Sequence, residues 1–137
     1  MAKRKQTRAA SLHDARGRLR SAEAYLEVAD LVLDERGRAE FRGVAAGLAV
    51  LAGVAASDAI CARRLGQIHR GDDHRAASSL LEQSTPDGAK VAATFLRLID
   101  VKDEAHYGAM VLSPRKARDS VRWSRQLVDR ARQELER

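Results

Sequence analysis

Cysteine, proline and aromatic residues are all scarce in this chain, and each scarcity narrows what it can be. The single cysteine, Cys61, has no second thiol to pair with, and its place in an apolar stretch makes it a small buried hydrophobe suited to a reducing compartment. The two prolines, Pro86 and Pro114, each follow a Thr or Ser, an order that starts helices and does not break them. Trp123 is the one large aromatic among the basic residues near the end, too little to stack the bases of a single strand. No segment alternates apolar and polar residues between hairpin turns, so no strand is expected. Internal repeats and low-complexity tracts are missing as well. The opening MAKRKQTRAA has no apolar core of the kind a secretory signal carries, which makes the cytoplasm the expected location.

What the chain does have is a long stretch without charge. Gly43 to Ser57 is built mostly of Ala, Val, Leu and Gly and would be apolar nearly all round as a helix. At roughly 15 residues this run falls short of the ~20 needed to cross a bilayer. Arg42 closes one end, and Asp58, Arg63 and Arg64 the other. A buried core helix from about Glu40, weakened at Gly66, is the expectation, with no membrane partner. Its small residues let neighbouring helices approach closely.

Four further helices follow from local signals. Ser11 with Asp14 is a capping-box start for an amphipathic helix to about Asp34, with Leu12, Leu19, Leu26 and Leu33 recurring every seven residues. Asp72 or Asp73 can cap a short helix from His74 to Gln83. Thr85-Pro86 and Ser113-Pro114 start the last two, the first running to about His106 and the second placing Ala117, Val121, Ser124, Val128, Ala131 and Leu135 on one face. The fold expected is all-α, an antiparallel bundle of four to five helices. Residues 1–10 form a basic flexible tail, and 11–137 a single helical bundle domain.

The net charge of +6 is confined to the two ends. Lys3, Arg4, Lys5 and Arg8 supply +4, residues 115–137 another +4, and everything between is about −2. On the last helix Arg115, Arg118, Arg122, Arg125 and Arg132 share one stripe, interrupted by Asp129. Five arginines on one side suit the tracking of a phosphate backbone, although a charged stripe is more often a solvated face.

Three stretches together resemble the HEPN superfamily of small helical bundles found in bacterial and archaeal proteins. They are SDAICARRLGQIHRGDDH, then LIDVKDEAHYG at the end of the fourth helix, then SPRKARDSVRWSRQLVDRA in the last. The resemblance covers roughly residues 12–135. It implies a homodimer with the fourth-helix segments facing each other, a nucleotidyltransferase-type protein as partner, and RNA or another nucleic acid as ligand. Many members of the family are metal-independent ribonucleases or toxin components, with an arginine and a histidine separated by four to six intervening residues. Arg can hold phosphate and stabilise developing charge, while His moves a proton.

Two places in this chain can carry that pair. Lys102, His106 and Tyr107 stand where the resemblance puts the catalytic segment, with lysine in place of arginine and the histidine one residue closer than usual. Arg64 and His69 have the literal spacing, RLGQIH, but at the end of the second helix. The substitution at 102 favours a module with a degenerate catalytic motif over an active ribonuclease. Lysine keeps the charge but loses the bidentate fork. His69, Asp72, Asp73 and His74 crowd a Gly-containing loop, a poor frame for zinc, so no metal and no cofactor are expected. Asp58, alone in an apolar helix, requires a cationic partner from another helix, with Arg97 and Lys102 the nearest choices.

Overall fold

A computed structural model describes residues 6–33, 38–107 and 111–136, apart from the side chains of 103–107. Five helices account for most of it: α1 Leu12–Val32, α2 Glu40–Leu65, α3 His74–Ser84, α4 Gly88–Tyr107 and α5 Pro114–Glu136. The chain is therefore an all-α helical bundle. The local start signals act as the sequence suggests. Ser11 and Asp14 complete a reciprocal capping box on α1. Asp73 accepts from the backbone N–H groups of Arg75 and Ala76 to cap α3, and Ser113 Oγ accepts from Lys116 N at the start of α5. At Pro86 the chain differs: residues 85–87 form a turn, with the Thr85 hydroxyl donating to the Asp87 carboxylate, and α4 begins at Gly88.

The centre of the bundle is α2, which packs against each of the other four helices. By length and composition it could span a bilayer, yet 67% of its most apolar window is buried inside the fold. Its alanines are the reason. Ala45, Ala46, Ala49, Ala52, Ala55, Ala56 and Ala59 are inaccessible to solvent, so neighbouring helices lie almost against its backbone. Gly53 marks the closest approach, where a side chain would collide with Leu98 of α4 and reach 3.3 Å from Leu127 of α5. The larger core side chains, Ile60, Leu81, Phe95, Leu98 and Leu127, fill the space around that alanine surface.

One element departs from the all-helical expectation. Gly66 ends α2 at φ 66°, a left-handed conformation that side-chain-bearing residues resist. The chain then turns into β2, Gln67–His69, which pairs antiparallel with β1, Thr7–Ala9. Ala10 N donates to Gly66 O at 2.9 Å and Arg70 N to Gln6 O at 2.6 Å, extending the ladder at both ends. Residues 6–10, assigned by the sequence reading to a flexible tail, are thus held across the end of the bundle. Ile68 anchors them by burying itself against Ala15 and Ala62. Three residues per strand are too few to show as periodicity, which is why no strand was expected.

Cys61 lies in the main core of the bundle. Burial, with the Asp58 charge adding to it, pushes its thiol up to about 12, and a hydrogen bond from Ser57 opposes the shift only in part. The thiolate is the reactive form. Cys61 should therefore resist alkylation by iodoacetamide at about pH 8 in the native protein and react fully in urea. Rapid native labelling would contradict its placement.

Candidate functional site

Where α2 ends, β2, α3 and α4 bring together side chains distant in sequence. Asp58, on α2, is met by Arg18 of α1: Nε donates to Oδ2 at 3.0 Å, and Nη2 lies 3.0 Å from the same oxygen. This corrects the expected partner, since neither Arg97 nor Lys102 takes the role. Arg18 and Asp58 face each other across the α1 and α2 hairpin, forty residues apart, and no local spacing signals that. The Asp58 side chain retains only 17% exposure. Burial raises its pKa, with Arg18 as the main opposing influence and His69 and Arg8 acting in the same direction as Arg18.

The sign of that shift gives a test. A carboxyl raised in the folded state loses stability as pH climbs from its unfolded value, about 3.9, through its folded one. Replacing Arg18 with Met removes the largest opposing influence and lifts Asp58 further. The variant should lose more stability than the wild type between about pH 4 and pH 7, measured by urea unfolding. Parallel pH profiles would contradict the pairing.

Lys102, on α4, reaches back to α3, with Nζ 3.2 Å from His74 Nε2. An ammonium has no lone pair, so it must donate, and His74 Nε2 must accept. His74 is therefore neutral in this arrangement. Burial lowers its pKa first and Lys102 second, with His69 adding to them and Asp72 and Asp73 opposing. The edge of its ring meets Phe95, centroids 6.4 Å apart. The His69 charge acts on both Asp58 and His74. His69 Nε2 is buried and has no hydrogen-bond partner among the described residues. Arg18 with Asp58 and Lys102 with His74 are thus two separate pairs, each within electrostatic reach of His69.

The other sequence-derived candidates are dispersed. Arg64 is engaged elsewhere: Nε donates to Ser84 O at 3.2 Å, and Nη1 lies 3.5 Å from Glu134. Its proximity in sequence to His69 therefore does not make the two a working pair. His106 and Tyr107 occupy the last turn of α4, and their side chains lie outside the described residues. On α5, Arg115 and Arg122 flank Asp119, Arg125 binds Asp30 at 2.6 Å, and Arg132 binds Glu23 and Asp129. Much of the stripe's charge is neutralised by acids, two of them contributed by α1. Trp123, partly buried, packs against the core cluster of Ala46, Val101 and Leu112.

A separate polar knot ties the far side. Arg130 makes a two-pronged bond to Asp87, both distances 2.7 Å, and donates Nε to Glu134 at 3.0 Å. Glu134 is 1% exposed, and its Oε2 takes no hydrogen bond, with only Arg64 nearby at 3.5 Å. Beside this knot, between α4 and α5, lies a cleft of about 430 Å³ floored by Val91 and Leu127. None of the sequence-derived site residues lines it. No group of three or more metal-ligating side chains occurs among the described residues.

Sequence reasoning missed Arg18 altogether and considered His74 only as a metal ligand. The lone carboxylate in an apolar helix was the usable signal for the first; for the second there was none beyond the histidine itself. Comparisons with models of known protein families and with curated protein sequences find no match.

Proposed function

We propose that this chain is a HEPN-like helical module that holds a phosphate-bearing nucleotide or nucleic acid at Lys102, with a degenerate catalytic motif. The observation that carries the reading is the Lys102 and His74 pair, a flexible cation beside a neutral histidine at a half-buried site. Lysine serves there as a point charge for phosphate, without the arginine fork that would grip a transition state from two sides. The paired arginines of α5 are a weaker support for binding, because a ligand would have to compete with their acids. A nucleotidyltransferase-type partner and a homodimer complete the reading and rest on the sequence resemblance, and a cytoplasmic location suits the unpaired buried Cys61.

A second reading, a metal-independent ribonuclease or toxin component, is favoured by one feature. α4 runs unbroken through Tyr107, so positions 102 and 106 stand one turn apart on the same helix. His106 would then move the proton, Lys102 hold the phosphate and Tyr107 position it.

Incubation with total RNA and labelled tRNA in EDTA separates the two. The binding reading expects retention of RNA without cleavage, retention falling about tenfold in Lys102→Ala, the worth of one charge-assisted hydrogen bond. Cleavage that appears only in Lys102→Arg would mark the natural chain as a degenerate enzyme. Cleavage by the wild type, lost in His106→Ala or His69→Ala, would establish the ribonuclease instead and locate its histidine.

A further inference from the structure

We propose that Lys102 and His74 together take a terminal phosphate monoester, the dianionic group of a nucleotide or of a 5′-phosphorylated strand, and that binding draws one proton onto His74. The inference rests on the reading of Lys102 as a phosphate ligand and adds the class of phosphate and its coupling to protons.

The geometry without ligand is the starting point. Lys102 spends a donor on His74 Nε2, which accepts it only while that nitrogen is unprotonated. The groups facing His74 are Lys102 and Phe95 from α4, His69 from β2, Asp72 ahead of α3 and Asp73 at its cap. Asp73 Oδ1 is already accepting from two backbone N–H groups. A phosphate placed against Lys102 takes over the ammonium's donor and frees His74 Nε2. Protonated, that nitrogen becomes a second charged donor to the same anion. His69, whose charge acts on His74, has a buried Nε2 with no hydrogen-bond partner among the described residues.

Charge decides which phosphate fits. Two cationic donors match the near −2 charge of a monoester at neutral pH, whereas a diester carries one charge and leaves the second donor's proton uncompensated. Because the anion stabilises His74 in its charged form, its pKa rises on binding, and affinity falls as pH increases above the ligand-free value.

Calorimetry on the full chain at about pH 7, in two buffers of different ionisation enthalpy, reads both parts. The probes are adenosine 5′-monophosphate and the dinucleotide ApA without a terminal phosphate. Expected are about tenfold tighter binding of the monophosphate and uptake of close to one proton, an uptake lost in His74→Gln. Equal affinities, no proton uptake by the wild type, or uptake that persists in His74→Gln would each overturn the inference. The wild-type comparison decides alone where His74→Gln does not fold by circular dichroism. Binding of ApA and RNA with no gain for the monophosphate would sink this inference and leave the phosphate-site reading standing. Absence of binding by every probe, RNA included, would remove both.

Discussion

Replacing Arg130 with Ala is expected to destabilise the fold by about 3 kcal/mol, near the lower end of what is lost when one partner of a buried ion pair is removed. The reason is Glu134, which is 1% exposed and takes its hydrogen bond from Arg130 Nε. With Arg130 gone, the carboxylate keeps only Arg64 at 3.5 Å. The same substitution releases Asp87, whose carboxyl the Arg130 guanidinium holds well below the usual range, with the Thr85 hydroxyl assisting. A depressed carboxyl stabilises above its unfolded value and loses that contribution as pH falls through its folded one. The variant should therefore also lose part of the wild type's acid-side pH dependence. Urea unfolding at about pH 7 and pH 3 checks both. The double variant Arg130→Met with Glu134→Leu should recover most of the loss, because it removes the stranded charge along with its partner. An unchanged single variant would mean that Glu134 is not confined as described.

Gly53→Val should cost about 1–3 kcal/mol through overpacking. A side chain at this point of α2 collides with Leu98 and crowds Leu127, and both leucines are fully enclosed in the core. Valine is a better helix former than glycine, so an exposed site would show a gain of a few tenths of a kcal/mol. Packing is expected to outweigh propensity here. Trimming Leu98 to Ala in the Gly53→Val background should relieve the collision, making the two substitutions less damaging together than their separate costs predict. Thermal and urea unfolding of the four proteins in the cycle give the coupling directly. Simple additivity would mean that α2 and α4 are further apart at this level.

How much of this was legible depends on distance along the chain. The caps at Ser11, Asp73 and Ser113 involve partners two or three residues away, and the sequence signals them correctly. The central helix was legible because an uncharged run rich in alanine has few other uses in a bundle. The strand pair escaped because its hydrogen bonds join residues 6–10 to 66–70 and its only strong apolar contribution is Ile68. Asp58's need for a cation followed from its surroundings, but the choice of Arg18 depended on the register of α1 against α2. Lys102 was singled out by resemblance, and its bond to His74 spans 28 residues. The arginines of α5 were legible as a stripe only through helical spacing. Their neutralisation by Asp30 and Glu23 depended on how α1 lies against α5, and the sequence pattern of α5 alone contains no trace of it.

We propose that ligand binds at the Lys102 and His74 pair and not along the arginines of α5. Titrating isotopically labelled protein with adenosine 5′-monophosphate, while following backbone amide resonances, tests this most directly. Shifts are expected to concentrate at residues 69–75 and around 98–102, with the His74 ring resonances moving toward the protonated form. Shifts confined to residues 115–132, or none anywhere, would contradict it.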